Sequence, residues 1–366
     1  MRILQLIHDS ERGGVQKLAA MIEAGLSPQR FDIETAYLYP RAGLPFYRKF
    51  AYALRAARQI WRGGYDALIA YQSTASILTG IVGSLAGCRL RVVHQTCTPS
   101  EMPRPLRLLD KLAGALGLYS ANIINSAATW AEFARYPARY RRSMILIEHG
   151  IDAPAPAHSR EASRRRFGLP LAAPLLLNVG RVTAQKNQDV LIRALACLPQ
   201  AHLVIAGAGP KDASFHALAV TLGVDDRLHL LGALPADEIA DLYAAADLFV
   251  FPSTWETFGF AAVEAGMAGL PLVVADLPVL REVLRADGAG AVTFVLPHDV
   301  EGWISAISRA LTTAPAARAT AFARALALKY SRQRMIESYL SLFEAHRRVG
   351  RSELNELKPA AEKVQP

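Results

Sequence analysis

Twice along this chain, short apolar runs of strand length alternate with longer segments of helical period. The first series is RILQLIH, FDIETAYL, DALIAY, LRVVHQ, ANIINS and SMILIEH, with GGVQKLAAMIEAGL between its first two members. The second is PLLLNVG, HLVIAGA, LHLLG, DLFVFPS, LPLVVAD and AVTFVL. Such alternation is the pattern of βαβ units, in which crossover helices cover a parallel sheet. A Pro/Ala/Arg-rich stretch, DAPAPAHSREASRRRFGLPLAAP, separates the two series. At 366 residues the chain is also too long for one ordinary core. The expected class is therefore α/β, with two Rossmann-like domains. Their expected limits are 1–150 and 174–330, joined by a linker over 151–173. Residues 315–348 read as helix, with the part over 331–348 able to pack back on the first domain, and 349–366 reads as a disordered polar tail.

Charge divides the chain in the same place. Residues 1–150 hold 19 Lys+Arg against 10 Asp+Glu, whereas 151–366 hold 22 of each, so the whole excess of +9 lies in the first half. An anionic partner for that half is expected, and charge alone does not choose between a membrane surface and a nucleic acid. No nucleic-acid recognition motif accompanies it. Cys88, Cys97 and Cys197 form no CxxC pair, which supports neither a disulfide framework nor a structural zinc site. Hydrophobic residues make up 52%, yet no window has the roughly 18 uninterrupted apolar residues that a spanning helix needs. The start, MRILQLIHDS, lacks the features of a secretory signal. A cytoplasmic protein, peripheral on the inner membrane face at most, is expected.

The most informative stretch is ADLFVFPSTWETFGFAAVEAGMAGLPLVVAD. A strand over 247–252 runs into a loop containing Glu256, and a helix begins near Gly259 with Glu264 in its first two turns. Both carboxylates fall at the C-terminal edge of a parallel sheet, where open α/β folds bind ligands. Backbone N–H groups around Phe258, Gly259 and Phe260 carry partial positive charge at the helix start, which suits a phosphate or sugar oxygen. Spacing by itself is equally compatible with Glu256 capping the helix and Glu264 being solvated.

The E-x7-E spacing from Glu256 to Glu264, the GRVTAQKN segment, the VIAGAGP strand-turn and the early GGVQ together resemble the large retaining GT-B glycosyltransferase family known as family 4. The resemblance runs to about residue 345. It implies two Rossmann-like domains whose parallel sheets face a central cleft, and a nucleotide-sugar donor. It assigns Glu256 to the donor-sugar hydroxyls, Glu264 to the ribose, and the basic pair Arg181 and Lys186 to the diphosphate. By the same resemblance Gly13 and Gly14 lie against the diphosphate, His94 lies near the donor sugar, and Gly207 of VIAGAGP belongs to the donor site. Ser126 ends another strand, where facing the cleft and capping a helix are its two readings, the N-cap being the expected one. One departure is LPVLREVL, which reaches Glu282 without the glycine that many relatives carry. VIAGAGP is not a dinucleotide fingerprint, because the third glycine position is Asp212.

The resemblance further implies transfer with retention of anomeric configuration by front-face displacement, in which the leaving diphosphate accepts the acceptor's proton. With no HExxH, DxD or Walker A sequence, no metal and no other cofactor are expected. Acceptors bind the first half in such enzymes. There FYRKFAYALRAARQIWRGG interleaves Arg48, Lys49, Arg55, Arg58 and Arg62 with apolar residues, as an interfacial helix would. RPLRLLDKL and RYPARYRR add further cations, and a solvated helix face is the competing reading. The expected acceptor is a saccharide or a lipid-linked saccharide, in cell-envelope or exopolysaccharide synthesis. A nucleotide-sugar epimerase of the same architecture, or a non-catalytic nucleotide-sugar-binding protein, are the alternatives.

Overall fold

A computed structural model of the chain describes residues 1–348 apart from 11, 12, 30, 42, 286–291 and 313–319. It divides into two compact units, one formed by Met1–Gly150 with the chain from Ser331 onward, the other by Ile151–Tyr330.

The first unit is built on β1 (Arg2–Asp9), β2 (Asp32–Tyr39), β3 (Ala67–Tyr71), β4 (Leu90–His94), β5 (Ala121–Ile124) and β6 (Met144–Leu146). They form one sheet in the order β2-β1-β3-β4-β5-β6, parallel throughout. The second is built on β7 (Leu175–Val179), β8 (His202–Ala206), β9 (Leu228–Gly232), β10 (Leu248–Phe251), β11 (Leu272–Ala275) and β12 (Val292–Val295). Their order is β12-β11-β10-β7-β8-β9, again all parallel. Each of the apolar runs named above holds one strand. Inner strands such as ALIAY, LFVF and LVVA are buried residue for residue, because crossover helices cover both faces of a parallel sheet. The edge strand β2, DIETAYLY, stays largely open along its first six residues.

Strand order decides where a ligand can sit. From β7 the second unit winds to β8 and β9 on one side, then returns to place β10 against β7 and continues to β12. Loops leaving β7 and β10 therefore diverge and open a crevice at the carboxyl ends of these strands. In the first unit the corresponding place lies between β1 and β3.

Two sequence expectations change. Residues 151–173, expected to be a linker, lie in the second unit and include the helix Arg160–Arg166. Arg164 is 1% exposed. Its guanidinium donates to the carbonyls of Ala245, Pro170, Leu171 and Ala173 and to Asp247. An arginine-rich composition reads as solvated only until its donors find buried acceptors. The single helix expected over 315–348 is two among the described residues, Thr320–Lys329 and Arg332–Arg348. The break falls at Tyr330, whose ring meets Phe258 edge-on at 5.1 Å and whose hydroxyl donates to the Val283 carbonyl at 2.9 Å. The later helix packs in the first unit against Gly14–Leu26. A Cβ on Gly25 would come within 2.4 Å of Ile336, so the close approach depends on glycine. The expectation for 349–366 lies outside the described residues.

Candidate active site

Past Val179 the chain keeps running beside its neighbour. Gly180 N–H donates to the Ala206 carbonyl at 3.0 Å and Val182 N–H to that of Ala208 at 3.1 Å. The approach is so close that a Cβ on Gly207 would lie 1.8 Å from the Gly180 carbonyl oxygen. Gly207 thus sets the path of the loop that carries Arg181 and Lys186.

That loop is tied to the one after β10. Thr254 N–H donates to the Gln185 carbonyl at 2.8 Å, and Gln185 Nε2 donates to the Trp255 carbonyl at 3.0 Å. Asn187 takes a left-handed backbone, φ 51°, which asparagine tolerates better than most residues. Its amide donates to the carbonyls of Pro252 and Pro297. Beneath the loops, buried Gln188 donates to Asn178 Oδ1 at 3.3 Å and to the Arg181 carbonyl at 3.0 Å, while Asn178 donates to the Val250 carbonyl at 2.8 Å. Buried amide donors paired in this way hold a loop in one arrangement.

On this frame Lys186 Nζ forms an ion pair with Glu256 Oε1, with side chains 16% and 9% exposed. The ammonium also lies 5.0 Å from the centre of the Phe251 ring. Screening is weak at such exposure, so the lysine expected on the diphosphate and the glutamate expected on the sugar are one electrostatic unit. Arg181 is exposed and forms no ion pair among the described residues. A guanidinium so placed can grip a diphosphate in bidentate fashion.

Gly259 caps the helix Phe260–Met267 in a left-handed conformation, φ 86°, and a Cβ there would meet Leu280 Cδ2 at 2.7 Å. Only glycine fits both demands. The Phe258 side chain is buried against Phe260 and Tyr330, leaving its backbone as the part that can serve a ligand. Glu264, 8% exposed, accepts from the Tyr243 hydroxyl at 3.0 Å. Burial, then the charge of Glu264, pushes that phenol well above its ordinary range. Tyr243 therefore stays protonated as a donor and orients the carboxylate. Among the described residues, Thr183 Oγ1, Gln188 Oε1 and Ser253 Oγ are buried in these same loops without a hydrogen-bond partner. Tyr243 and Ser253 were missed in the sequence, where nothing marks a tyrosine or a serine as adjoining a site formed by distant loops.

In the first unit, Gly13 caps the helix Gly14–Leu26 with an extended backbone, φ −172°. Among the described residues, a Cβ there would meet nothing nearer than Gln16 Oε1 at 3.2 Å. Neither backbone nor close packing demands glycine. His94, expected beside a donor sugar, is 3% exposed. It stacks on Tyr71 and Tyr339, with Nε2 3.3 Å from the Tyr339 hydroxyl. Burial, then His149, holds its ring well below the ordinary imidazole range. Here His94 is a neutral packing residue, because a helix remote in sequence covers the strand end. Ser126 caps Ala127–Ala131, accepting from Thr129 N–H at 3.1 Å. Gln72 was not anticipated. It follows β3 at φ 69°, ψ 150°, a region nearly reserved for glycine and costing about 1–3 kcal/mol. Its Oε1 accepts from His8 N–H at 3.2 Å, bridging β3 to β1 across the switch point.

Two parallel Rossmann-like sheets, with a cation–carboxylate pair at the switch point of the second, place the chain among doubly wound α/β proteins, whose ligands bind at that edge. The profile of the glycosyl transferases group 1 family matches residues 159–325. A D-inositol 3-phosphate glycosyltransferase of Xylanimonas cellulosilytica is 30% identical over 302 residues, covering 76% of this chain and 71% of that protein. The chain belongs to the group 1 glycosyltransferases, enzymes of the GT-B class. A protein of the same name from Mycolicibacterium smegmatis is 38% identical over 190 residues, and the match spans only 43% of its length. In fold the chain is similar to the sucrose-phosphate synthase of Thermosynechococcus elongatus, with TM-score 0.80, 17% identity, and coverage of 96% of this chain and 100% of that one. It is likewise similar to Anabaena HepE in complex with UDP-glucose, with TM-score 0.79, 20% identity, and coverage of 94% and 100%.

Proposed function

We propose that this protein moves a sugar from a nucleoside-diphosphate sugar to a saccharide or lipid-linked acceptor, with retention of configuration and without a metal ion. The observation that carries the reading is the Lys186–Glu256 pair beside exposed Arg181 at the β7–β10 switch point. As the bond from sugar C1 to the diphosphate oxygen breaks, negative charge grows on that oxygen. Arg181 and Lys186 stabilise it, and preorganised charge of this kind is the largest single contribution in most such sites. The acceptor hydroxyl oxygen bonds to C1 on the same face, and its proton passes to the departing diphosphate. Glu256 holds Lys186 in place and offers its carboxylate to sugar hydroxyls, while Glu264, oriented by Tyr243, takes the ribose. Gly13, a glycine its own unit does not require, leaves the backbone open to close approach by a phosphate.

UDP-glucose in HepE supports a uridine donor, and the name of the curated relatives supports a polyhydroxylated acceptor. Cell-envelope or exopolysaccharide synthesis, at the inner face of an anionic membrane, is the setting that fits the basic first half. Thermal unfolding with UDP- and GDP-sugars in EDTA tests the reading. A donor at about 100 times its Kd adds about 2.7 kcal/mol to stability. We expect one nucleotide series to raise Tm and the other to do so less. No shift with any nucleoside diphosphate or its sugar would remove the donor site.

A further inference from the structure

The helices following β2, β3 and β4, Phe46–Gly63, Ser73–Leu85 and Arg104–Ala115, pack side by side in the first unit. Their outward faces are not the polar faces that crossover helices ordinarily turn to water. On the first, Phe46, Tyr47, Phe50, Leu54 and Trp61 are exposed, Phe46 by 84% and Trp61 by 60%. Spacings of three, four and seven place them in one row. Arg48, Arg55, Arg58 and Arg62, spaced seven, three and four apart, make a second row alongside. Ile81 and Leu85 stand one turn apart on the middle helix. Leu108, Leu109 and Leu112 extend the apolar surface on the third, with Leu116 just beyond it.

Eleven of the sixteen exposed large apolar side chains among the described residues lie on these helices or at their ends. Isolated exposed apolar residues are ordinary, but a concentration of this size marks a contact surface. Charge identifies what it contacts. Helices 46–63 and 73–85 contain no Asp or Glu, and the one carboxylate of 104–115, Asp110, is buried beneath the hydroxyls of Tyr119 and Tyr140. The three helices therefore combine aromatic and leucine side chains with arginines and carry no exposed acid of their own, while the exposed Glu34 of β2 accepts from Gln59 of the first helix. Between helix 46–63 and β2, a cavity of about 420 Å³ lined by Tyr37, Tyr52, Arg55 and Gln59 opens beside the arginine row, wide enough for a phosphate head group.

We propose that this three-helix face docks on an anionic lipid bilayer, with the apolar row at the boundary between head groups and acyl chains and the arginine row at the phosphates. The proposal rests on the reading of a lipid-linked acceptor and names the surface from which the protein reaches it. Insertion distinguishes it from a purely electrostatic encounter, which salt screens away.

Flotation of the full-length protein with phosphatidylcholine vesicles, with and without one-third phosphatidylglycerol, tests the proposal at low and high salt. Two variants are compared with wild type: Arg48, Arg55, Arg58 and Arg62 all replaced by Gln, and Phe50, Leu54 and Trp61 all replaced by Ser. Each arginine near such a surface contributes about fivefold in affinity. We expect binding to the anionic vesicles alone, weakened on the order of hundredfold or more by the arginine replacements. The serine replacements should abolish the part that survives high salt, and Trp61 emission should shift to the blue on binding. Failure of wild type to float with anionic vesicles at low salt, or equal flotation of all three proteins, would overturn it. So would arginine-dependent binding to an oligonucleotide without vesicle binding, or self-association lost in the serine variant without vesicle binding. Donor hydrolysis in solution is read on the same samples and should be equal in all three. Its absence from wild type removes the transferase reading and leaves flotation to judge the face.

Discussion

Glu256 and Glu264 lie one E-x7-E interval apart, yet their surroundings differ. Glu256 is held against Lys186 on a loop, whereas Glu264 is buried on a helix under the Tyr243 hydroxyl. Different consequences follow from removing each. On the proposed assignment, Glu264→Ala takes the acceptor from two ribose hydroxyls at about 1–3 kcal/mol, so calorimetry should show nucleoside-diphosphate affinity falling by roughly 5- to 150-fold. Tyr243→Phe leaves the carboxylate in place but less well oriented, and should lose about fivefold, near the value of one neutral hydrogen bond. Glu256→Ala should damage sugar transfer more than it changes affinity for the free nucleotide, which it reaches only through the position of Lys186. Unchanged nucleotide affinity in Glu264→Ala would reverse the assignment. The pairing of Lys186 with Glu256 was not visible beforehand. It joins positions 70 apart that meet only because β10 returns to lie against β7, a matter of topology rather than local pattern.

Among the elements, the glycine-bearing turns separate fold from function. Gly207→Ala would set a methyl 1.8 Å from the Gly180 carbonyl oxygen, a backbone clash no side-chain rotation relieves. A loss of more than about 3 kcal/mol in stability is expected, visible as a lowered Tm. Gly13→Ala meets no such obstacle and should unfold at the wild-type temperature while turning over donor more slowly. Normal turnover in Gly13→Ala would detach that loop from the site. Every strand among the described residues was legible, since strand-length apolar runs separated by helical periods leave few alternatives. Less legible was whatever depended on a distant partner. Arg164 looked like linker charge until the carbonyls of Pro170, Leu171 and Ala173 surrounded it. His94 looked like a strand-end ligand until Tyr339, 245 positions on, covered it. The strained backbone of Gln72 has no sequence signal, because glutamine is not a residue chosen for φ of 69°.

For the molecule as a whole, buried histidines give the first unit a pH dependence of known sign. Burial pushes His149 down to about 3 and holds His94 well below the ordinary range. Both are neutral when folded and free to protonate near pH 6.5 when unfolded. The unfolded chain therefore binds more protons as pH falls, and stability drops from about pH 6.5 towards pH 3. At pH 5 His149 alone should cost about 2 kcal/mol. Urea unfolding at pH 7 and pH 5 should show the loss, and His149→Asn should reduce it. A flat stability between these values would contradict the burial. Most direct of all is sugar transfer from the donor that stabilises the protein, measured for wild type, Arg181→Ala and Lys186→Ala, each in EDTA and in Mg²⁺. Wild type should transfer equally in both with retained configuration, and either replacement should lower the rate on the order of 100-fold. Loss of wild-type transfer in EDTA with recovery in Mg²⁺, or full activity in both variants, would contradict a diphosphate held by these two cations.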